Sequence, residues 1–290
     1  MDGILIVNKP KKYTSHDIVN IARKALNTKR VGHIGTLDPN ATGVLVLCVN
    51  KATKLVKYFE AHSKTYIATI KLGLKTDSDD ITGEVIATKD ASNIKEADIL
   101  DVLNSFLGKQ QQIPPNYSAV KVNGKKLYEL ARRDIIIHDI SPRDVEVISI
   151  SDFEILEKSE IITFKVNLKV SKGTYIRSIA RDMGEKLGCY GTLAELERTE
   201  IDHFKIEDAI SLEDLEAEKY EILDPFEYLN MPKIIVDPLY KSYINNGRFL
   251  DLDMFPEKTD TIIYSKDKEV LAIYYYDTQK KLMRMSVKWC

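Results

Sequence analysis

Apolar and polar positions along the chain fall into two rhythms that divide it into helices and strands. Ile4-Leu5-Ile6-Val7 is a short unbroken apolar run, which predicts a buried strand. Thr14 and Asp17 have the spacing of a capping box. Behind them Ile18, Ile21, Ala22, Ala25 and Leu26 recur at helical spacing and predict an amphipathic helix. Residues 44–49 are continuously apolar, as in a strand buried on both faces. Over 65–72 the pattern alternates, with Tyr66, Ala68, Ile70 and Leu72 on one face. Ile99, Val102, Leu103, Phe106 and Leu107 predict a second helix, stopped by Gly108. The stretch 110–116, with two prolines among its amides, reads as irregular. Strand-like runs over 144–156 and 161–171 precede a helix from about 176 to 187, closed by Gly188. An acidic segment, 200–230, reads as short helices forming a joint. From Met231 onward, short β-branched and aromatic runs are broken by Asn245-Asn246-Gly247 and by Asp/Lys turns, which predicts a small β-rich domain. The expected class is α/β (α+β), with one domain over 1–230 and a second over 231–290.

Composition changes this picture little. With 290 residues, 44% apolar and 30% charged, the chain can bury a sizeable core, which excludes disorder and fibrous folds. No apolar run is long enough to span a membrane. The first residues lack the basic, apolar and small-residue regions of a signal peptide. Cys48, Cys189 and Cys290 are odd in number and far apart, so neither a disulfide framework nor a Cys-x-x-Cys metal pair is expected. A cytoplasmic location follows as the expectation.

Charge adds more. The net charge of -2 hides an asymmetry: residues 1–75 hold 13 Lys/Arg against 4 Asp/Glu, whereas 200–230 hold 11 Asp/Glu against Lys205 and Lys219. A basic first quarter can be the footprint of a polyanion. On charge alone, a solvated lysine-rich surface is the simpler reading.

Several chemistries leave no trace. There is no phosphate-binding glycine loop and no dinucleotide fingerprint. No histidine pair has H-x-x-x-H spacing, and no serine sits in a G-x-S-x-G elbow. Asp77, Asp79 and Asp80 depart from a calcium loop at Ile81 and Thr82 and read as solvated turn carboxylates. One segment stands out, Gly32-His-Ile-Gly-Thr-Leu-Asp38-Pro-Asn-Ala-Thr-Gly43-Val-Leu45. Its glycines allow close backbone approach, and Pro39 biases Asp38 toward an extended conformation, presenting one carboxylate at a sheet edge. On the residues alone, an ordinary Asp-Pro turn is the simpler account.

That segment resembles the signature of the TruB family of pseudouridine synthases, which act on uridine 55 of transfer RNA. The likeness extends in collinear blocks over most of the first 204 residues: Asn8-Lys9-Pro10 with Thr14-Ser15, Ser63-Lys64-Thr65-Tyr66, Thr76-Asp77-Ser78-Asp79, Gln112 to Lys121, Leu127-Tyr128-Glu129 with Ala131-Arg132, and Ser171 to Arg177 with Arg181-Asp182. Three positions depart from it. Lys12 and Asp202 stand where glycine is usual, and Glu197 replaces an arginine.

The resemblance implies a mixed-sheet catalytic domain with an RNA-gripping insertion at about 110–140, and a PUA-like RNA-binding domain after residue 230. It implies isomerisation of uridine 55 in the T-loop without metal or organic cofactor, since the reaction neither oxidises nor removes an atom. Asp38 would be the essential carboxylate, as nucleophile at C1′ or base at C2′. Arg177 would pair with it, and Tyr66 would stack on the uracil. Tyr175 and Leu196 would line the pocket, and His33, on the Asp38 loop, would wedge into the gap left by the flipped base. Lys64, Lys121, Lys125, Lys126, Arg132 and Lys172 would contact phosphates. The implied partner is tRNA, bound by a monomer at no membrane. The alternatives are a guide-RNA-dependent pseudouridine synthase, which would carry extra N-terminal sequence, a non-catalytic RNA-binding or RNA-folding protein of the same fold, and a hydrolase using His33 and Asp38.

Overall fold

Strand β1 (Gly3–Lys9) is buried almost throughout, as its apolar run requires. Helix α1 (Ser15–Ala25) follows, capped as its sequence predicts: the Asp17 N–H donates to Thr14 Oγ1 at 3.0 Å and the Thr14 N–H donates to the Asp17 carboxylate at 2.8 Å. Its residues Ile18, Val19 and Ala22 bury against β1 and β3. Next come β2 (Val31–Ile34), β3 (Thr42–Val49), a 3-10 helix (Asn50–Tyr58) and β4 (Ser63–Leu72). In β4 the alternating set Tyr66, Ala68, Ile70 and Leu72 faces the core. Strands β5 (Leu74–Thr76) and β6 (Val85–Thr88) form a short ribbon. This computed structural model describes all residues except 60, 61, 123, 132, 134, 138 and 290.

The segment after β6 departs from expectation. Helix α2 (Glu96–Asn104) ends at Ser105, and Gly108 opens strand β7 (Gly108–Gln112) with φ +89°. The first three residues of the stretch read as irregular, Gln110–Gln112, therefore belong to an edge strand. Amide side chains do not forbid pairing, and Pro114-Pro115 end the strand rather than interrupt it. A small hairpin, β8 (Lys121–Val122) and β9 (Lys125–Lys126), leads into α3 (Leu127–Ala131). The long hairpin β10 (Arg143–Lys158) and β11 (Ile162–Ser171) is followed by α4 (Ile176–Lys186), β12 (Gly191–Ile201), β13 (Phe204–Lys205) and α5 (Leu212–Glu216).

Among the described residues the main sheet runs β1-β3-β12-β4-β11-β10-β7, with β2 and β13 pairing at β3 and β12. It is mixed because β12 lies parallel to β3, at Glu197↔Thr42 and Arg198↔Gly43, and antiparallel to β4. The β3–β12 approach depends on Gly43, which has φ +102°; a Cβ there would lie 2.1 Å from the Arg198 carbonyl oxygen. Lys12 and Asp202, two of the positions that depart from the resemblance, also take left-handed backbone, at φ 73° and φ 48°. Asp202 uses its side chain as well: its carboxylate accepts the N–H groups of His62 and Ser63 and so fixes the start of β4.

The acidic segment is more than a joint. The Ile4 N–H donates to Leu223 O, the Asn8 N–H to Ile210 O and the Ile210 N–H to Ile6 O, so this segment covers the outer edge of β1. Leu215 of α5 packs in one cluster with Ile18 and Ala22 of α1. The last quarter holds β14 (Lys233–Val236), α6 (Pro238–Asn245), β15 (Thr261–Ser265), β16 (Val270–Asp277) and β17 (Leu282–Lys288). Its four strands form a sheet in chain order. Ile262, Ile273 and Val287 join Ile4, Ile6, Val46 and Phe226 in a shared apolar cluster, which docks the second sheet onto the first.

Candidate active site

The loop between β2 and β3 is held from beneath by buried side chains. Ser15, the first residue of α1, donates through Oγ to Leu37 O at 3.1 Å and accepts the Leu37 N–H at 2.9 Å. Lys9, at the end of β1, is wholly buried, and its Nζ donates to Pro39 O, Pro10 O and Tyr13 O at 3.1, 3.0 and 2.7 Å. The Lys12 N–H also donates to Pro39 O. Arg198 of β12 donates to the carbonyls of Gly35 at 2.9 Å, Thr36 at 3.3 Å and Val44 at 2.9 Å. With these backbone acceptors satisfied from below, Asp38 carries its side chain outward, 49% exposed.

Arg177 meets it there. It stands in the first turn of α4 with its side chain only 8% exposed, and its Nη2 lies 2.9 Å from Asp38 Oδ2. The same guanidinium donates to Tyr117 O at 2.9 Å and Ser78 O at 3.4 Å. These two carbonyls fix its plane, so the carboxylate meets a preset fork. Gln112 sets the start of α4. Its side chain accepts the Tyr175 N–H at 2.8 Å and donates to Tyr175 O at 3.1 Å.

A cleft of about 1170 Å³ opens over this pair. Asp38, Arg177, Tyr66, Tyr175, Leu196 and His33 all line it, together with Lys64 and Lys126. Tyr66 is buried on β4, and burial pushes the phenol above its ordinary range, against the pull of the nearby Arg198 guanidinium. Burial likewise raises Tyr175, against the pull of the Arg143 and Arg177 charges. Lys64 is pushed down to about 8 by burial, with Arg198 adding to the effect. Lys9 is also lowered to about 8 by burial, opposed by Asp38.

Other expectations need correction or qualification. His33 does not lie on the Asp38 loop; it is part of β2 and pairs with Leu47, because the edge of β3 extends pairing back through Val31–Ile34. Burial lowers its pKa, and the charges of Arg198 and His16 act in the same direction. Lys121 and Lys125 are exposed on the β8–β9 hairpin and line no part of the cleft. Lys172 is exposed in the turn before α4 and its N–H donates to His62 O. Arg132 lies outside the described residues. Asp79 is not a solvated turn carboxylate. Its side chain is 14% exposed and pairs with Arg181 at 3.0 Å. Among the described residues no group of three or more His, Cys, Asp or Glu side chains could hold a metal ion.

Sequence reasoning missed Arg198, Ser15 and Gln112 as supports and left Lys9 without a role. A buried arginine and a surface arginine look alike in a sequence. The available signal was position: Arg198 follows Leu196 by two residues on one strand, in register with Tyr66.

The chain matches the N-terminal-domain model of the TruB family of pseudouridylate synthases over residues 23–176, and the C-terminal-domain model of tRNA pseudouridylate synthase B over 177–230. It is 42% identical over 297 residues to the tRNA pseudouridine synthase B of Bacillus subtilis (strain 168), covering 97% of this chain and 95% of that protein. It is also 42% identical over 275 residues to the protein of the same name from Thermosipho melanesiensis, covering 94% and 88%. In fold it is similar to a chain in a crystal structure of a Cbf5-Nop10-Gar1 complex, with a TM-score of 0.69 and 24% identity over 99% of this chain and 84% of that one.

Proposed function

Since the chain belongs to the TruB family of pseudouridylate synthases, we propose that it is an isomerase that converts uridine 55 in the T-loop of tRNA to pseudouridine, with Asp38 as the essential carboxylate. The observation that carries this is the Asp38–Arg177 pair, 2.9 Å apart at a cleft that also takes in Tyr66. Isomerisation breaks the N1–C1′ bond and joins the same base through C5. An ionised carboxylate is required either as nucleophile at C1′ or as base at C2′. Arg177 holds that carboxylate in one orientation. Tyr66 stacks on the uracil and moves a proton, while Tyr175 and Leu196 close the pocket.

The target base is stacked in the free T-loop and has to be flipped to reach the cleft. His33 fills the space it leaves. Lys64 and Lys126 at the cleft, with Lys121, Lys125 and Lys172 around it, meet phosphates, and Arg132 is assigned the same role from the sequence alone. The protein works as a monomer in the cytoplasm and needs no metal or nucleotide. The guide-dependent alternative is less well supported: the relatives matched at about 40% identity over nearly the whole chain are tRNA pseudouridine synthases B, whereas the likeness to the Cbf5 chain is 24%.

Incubation with unmodified tRNA, followed by mapping of pseudouridine by position, tests the proposal. Product at position 55 alone supports it. Product only in the presence of a separate guide RNA, or no product, would overturn it.

A further inference from the structure

Helix α4 begins at a residue that does not cap it. Its N-cap is Tyr175, whose side chain makes no capping hydrogen bond and lines the cleft instead. Serine, threonine, asparagine or aspartate would serve a helix start better. The capping duty passes to Gln112, at the end of edge strand β7 and 63 residues away in the chain. Gln112 is 4% exposed. Its side-chain oxygen accepts the Tyr175 N–H at 2.8 Å, and its nitrogen donates to Tyr175 O at 3.1 Å. In a capping box, a glutamine in the helix's own first turn accepts the N-cap N–H. Here that position is held by Ser178, whose hydroxyl donates to Ile113 O at 2.9 Å.

The start of α4 is thus fastened to one short segment, 112–117. Arg177 donates to Tyr117 O at 2.9 Å, and Arg181, one turn further on, donates to Ile113 O at 3.0 Å. Those ties and the Ser178 bond run from α4 side chains to carbonyls. The two Gln112 bonds hold the backbone itself. Two residues beyond them comes Arg177, with its Nη2 2.9 Å from Asp38 Oδ2. The other half of α4 is held independently. A Cβ on Gly184 would lie 2.1 Å from the Gly191 nitrogen, so this half rests directly against β12. Releasing Gln112 therefore frees the first turn, with Tyr175 and Arg177, without releasing α4 from the sheet.

We propose that Gln112 is a positioning residue for the isomerisation. By gripping both backbone groups of Tyr175 it fixes the first turn of α4, and so the direction from which Arg177 meets Asp38. This rests on the reading that Asp38 and Arg177 act in the reaction. Gln112 itself lines no part of the cleft.

The test uses the full chain and unmodified tRNA, with enzyme in excess, in four forms: wild type, Gln112→Met, Arg177→Lys and the double variant. Methionine keeps the length of the side chain and loses both amide bonds. Gln112→Met is expected to lower the single-turnover rate by about 30-fold, with tRNA affinity within about threefold. In the Arg177→Lys background the same substitution should cost at most about threefold, because the fork it orients is gone. Losses that multiply in full, an unchanged rate, or affinity falling in parallel with rate would overturn the proposal. Where Arg177→Lys forms too little product to time, a crystal structure of Gln112→Met decides. A broken Arg177–Asp38 pair supports the proposal, and a pair unchanged at 2.9 Å overturns it. Should Gln112→Met fail to unfold cooperatively, Gln112→Glu, which keeps the acceptor and loses the donor, carries the comparison. Failure of both to fold would make the glutamine purely structural and also overturn it. A wild type that forms no pseudouridine overturns the function itself, an outcome distinct from an active wild type with an equally active Gln112→Met.

Discussion

Asp38 is half exposed and paired with Arg177 at 2.9 Å, so its charge is oriented without being withdrawn from the cleft. Around it, lysines behave differently according to depth. Lys64 lines the cleft and is lowered to about 8 by burial and by Arg198 nearby. A phosphate placed beside it raises it again. The complex then keeps a proton that the free protein loses as the pH rises through about 8. Affinity for tRNA is therefore expected to fall by about tenfold between about pH 7.5 and 9.5, and Lys64→Arg, charged throughout, should remove most of that fall. Fluorescence titration of labelled tRNA checks it; a flat wild-type profile contradicts a phosphate contact at Lys64. Asp38, Tyr66 and Arg177 were legible because each sits in a block of residues whose order is distinctive. Lys9 and Arg198 were not, because burial of a charge depends on strands brought together from distant parts of the chain: β12 reaches β3 only after the chain has passed through β4, β10 and β11.

At the scale of elements, α1 does more than cover the sheet. Its first residue, Ser15, satisfies both backbone groups of Leu37, next to Asp38. Ser15→Ala leaves the buried Leu37 N–H unpaired and is expected to cost about 1–3 kcal/mol of stability. It should also slow the single-turnover step more than it weakens tRNA binding. Urea denaturation and a rate measurement on the same preparation check this; unchanged stability and rate contradict the pinning role. Helix α1 itself was readable, since its cap and its apolar stripe are local patterns. Strand β2 and the edge strand β7 were not. Both exist because a neighbouring strand offers them partners, β3 for Val31–Ile34 and β10 for Gly108–Gln112, and no local apolar rhythm announces that. The helix end assigned to Gly108 failed for a related reason: its left-handed backbone starts a strand rather than closing a helix.

Over the whole molecule, the basic quarter and the acidic segment are not far apart. The acidic segment packs directly on β1 and α1, and α5 lines no part of the cleft. On the proposed function, RNA that enters the cleft would meet Lys64 and Lys126, which line it. Affinity for tRNA is therefore expected to fall with salt at a log–log slope of about −3 or steeper, despite the net charge of -2. Reversing Lys64, Lys121 and Lys172 should flatten the slope, and neutralising Glu213, Asp214 and Glu216 should not. A slope near zero for the wild type would mean that the basic quarter is only a solvated face. The central claim is that a single carboxylate breaks the glycosidic bond while many other contacts hold the RNA. Single-turnover conversion of unmodified tRNA by Asp38→Asn, measured beside its tRNA affinity, tests it most directly. The account predicts no pseudouridine at position 55 and an affinity within about tenfold of wild type, ~1.4 kcal/mol. Measurable turnover by Asp38→Asn would contradict it.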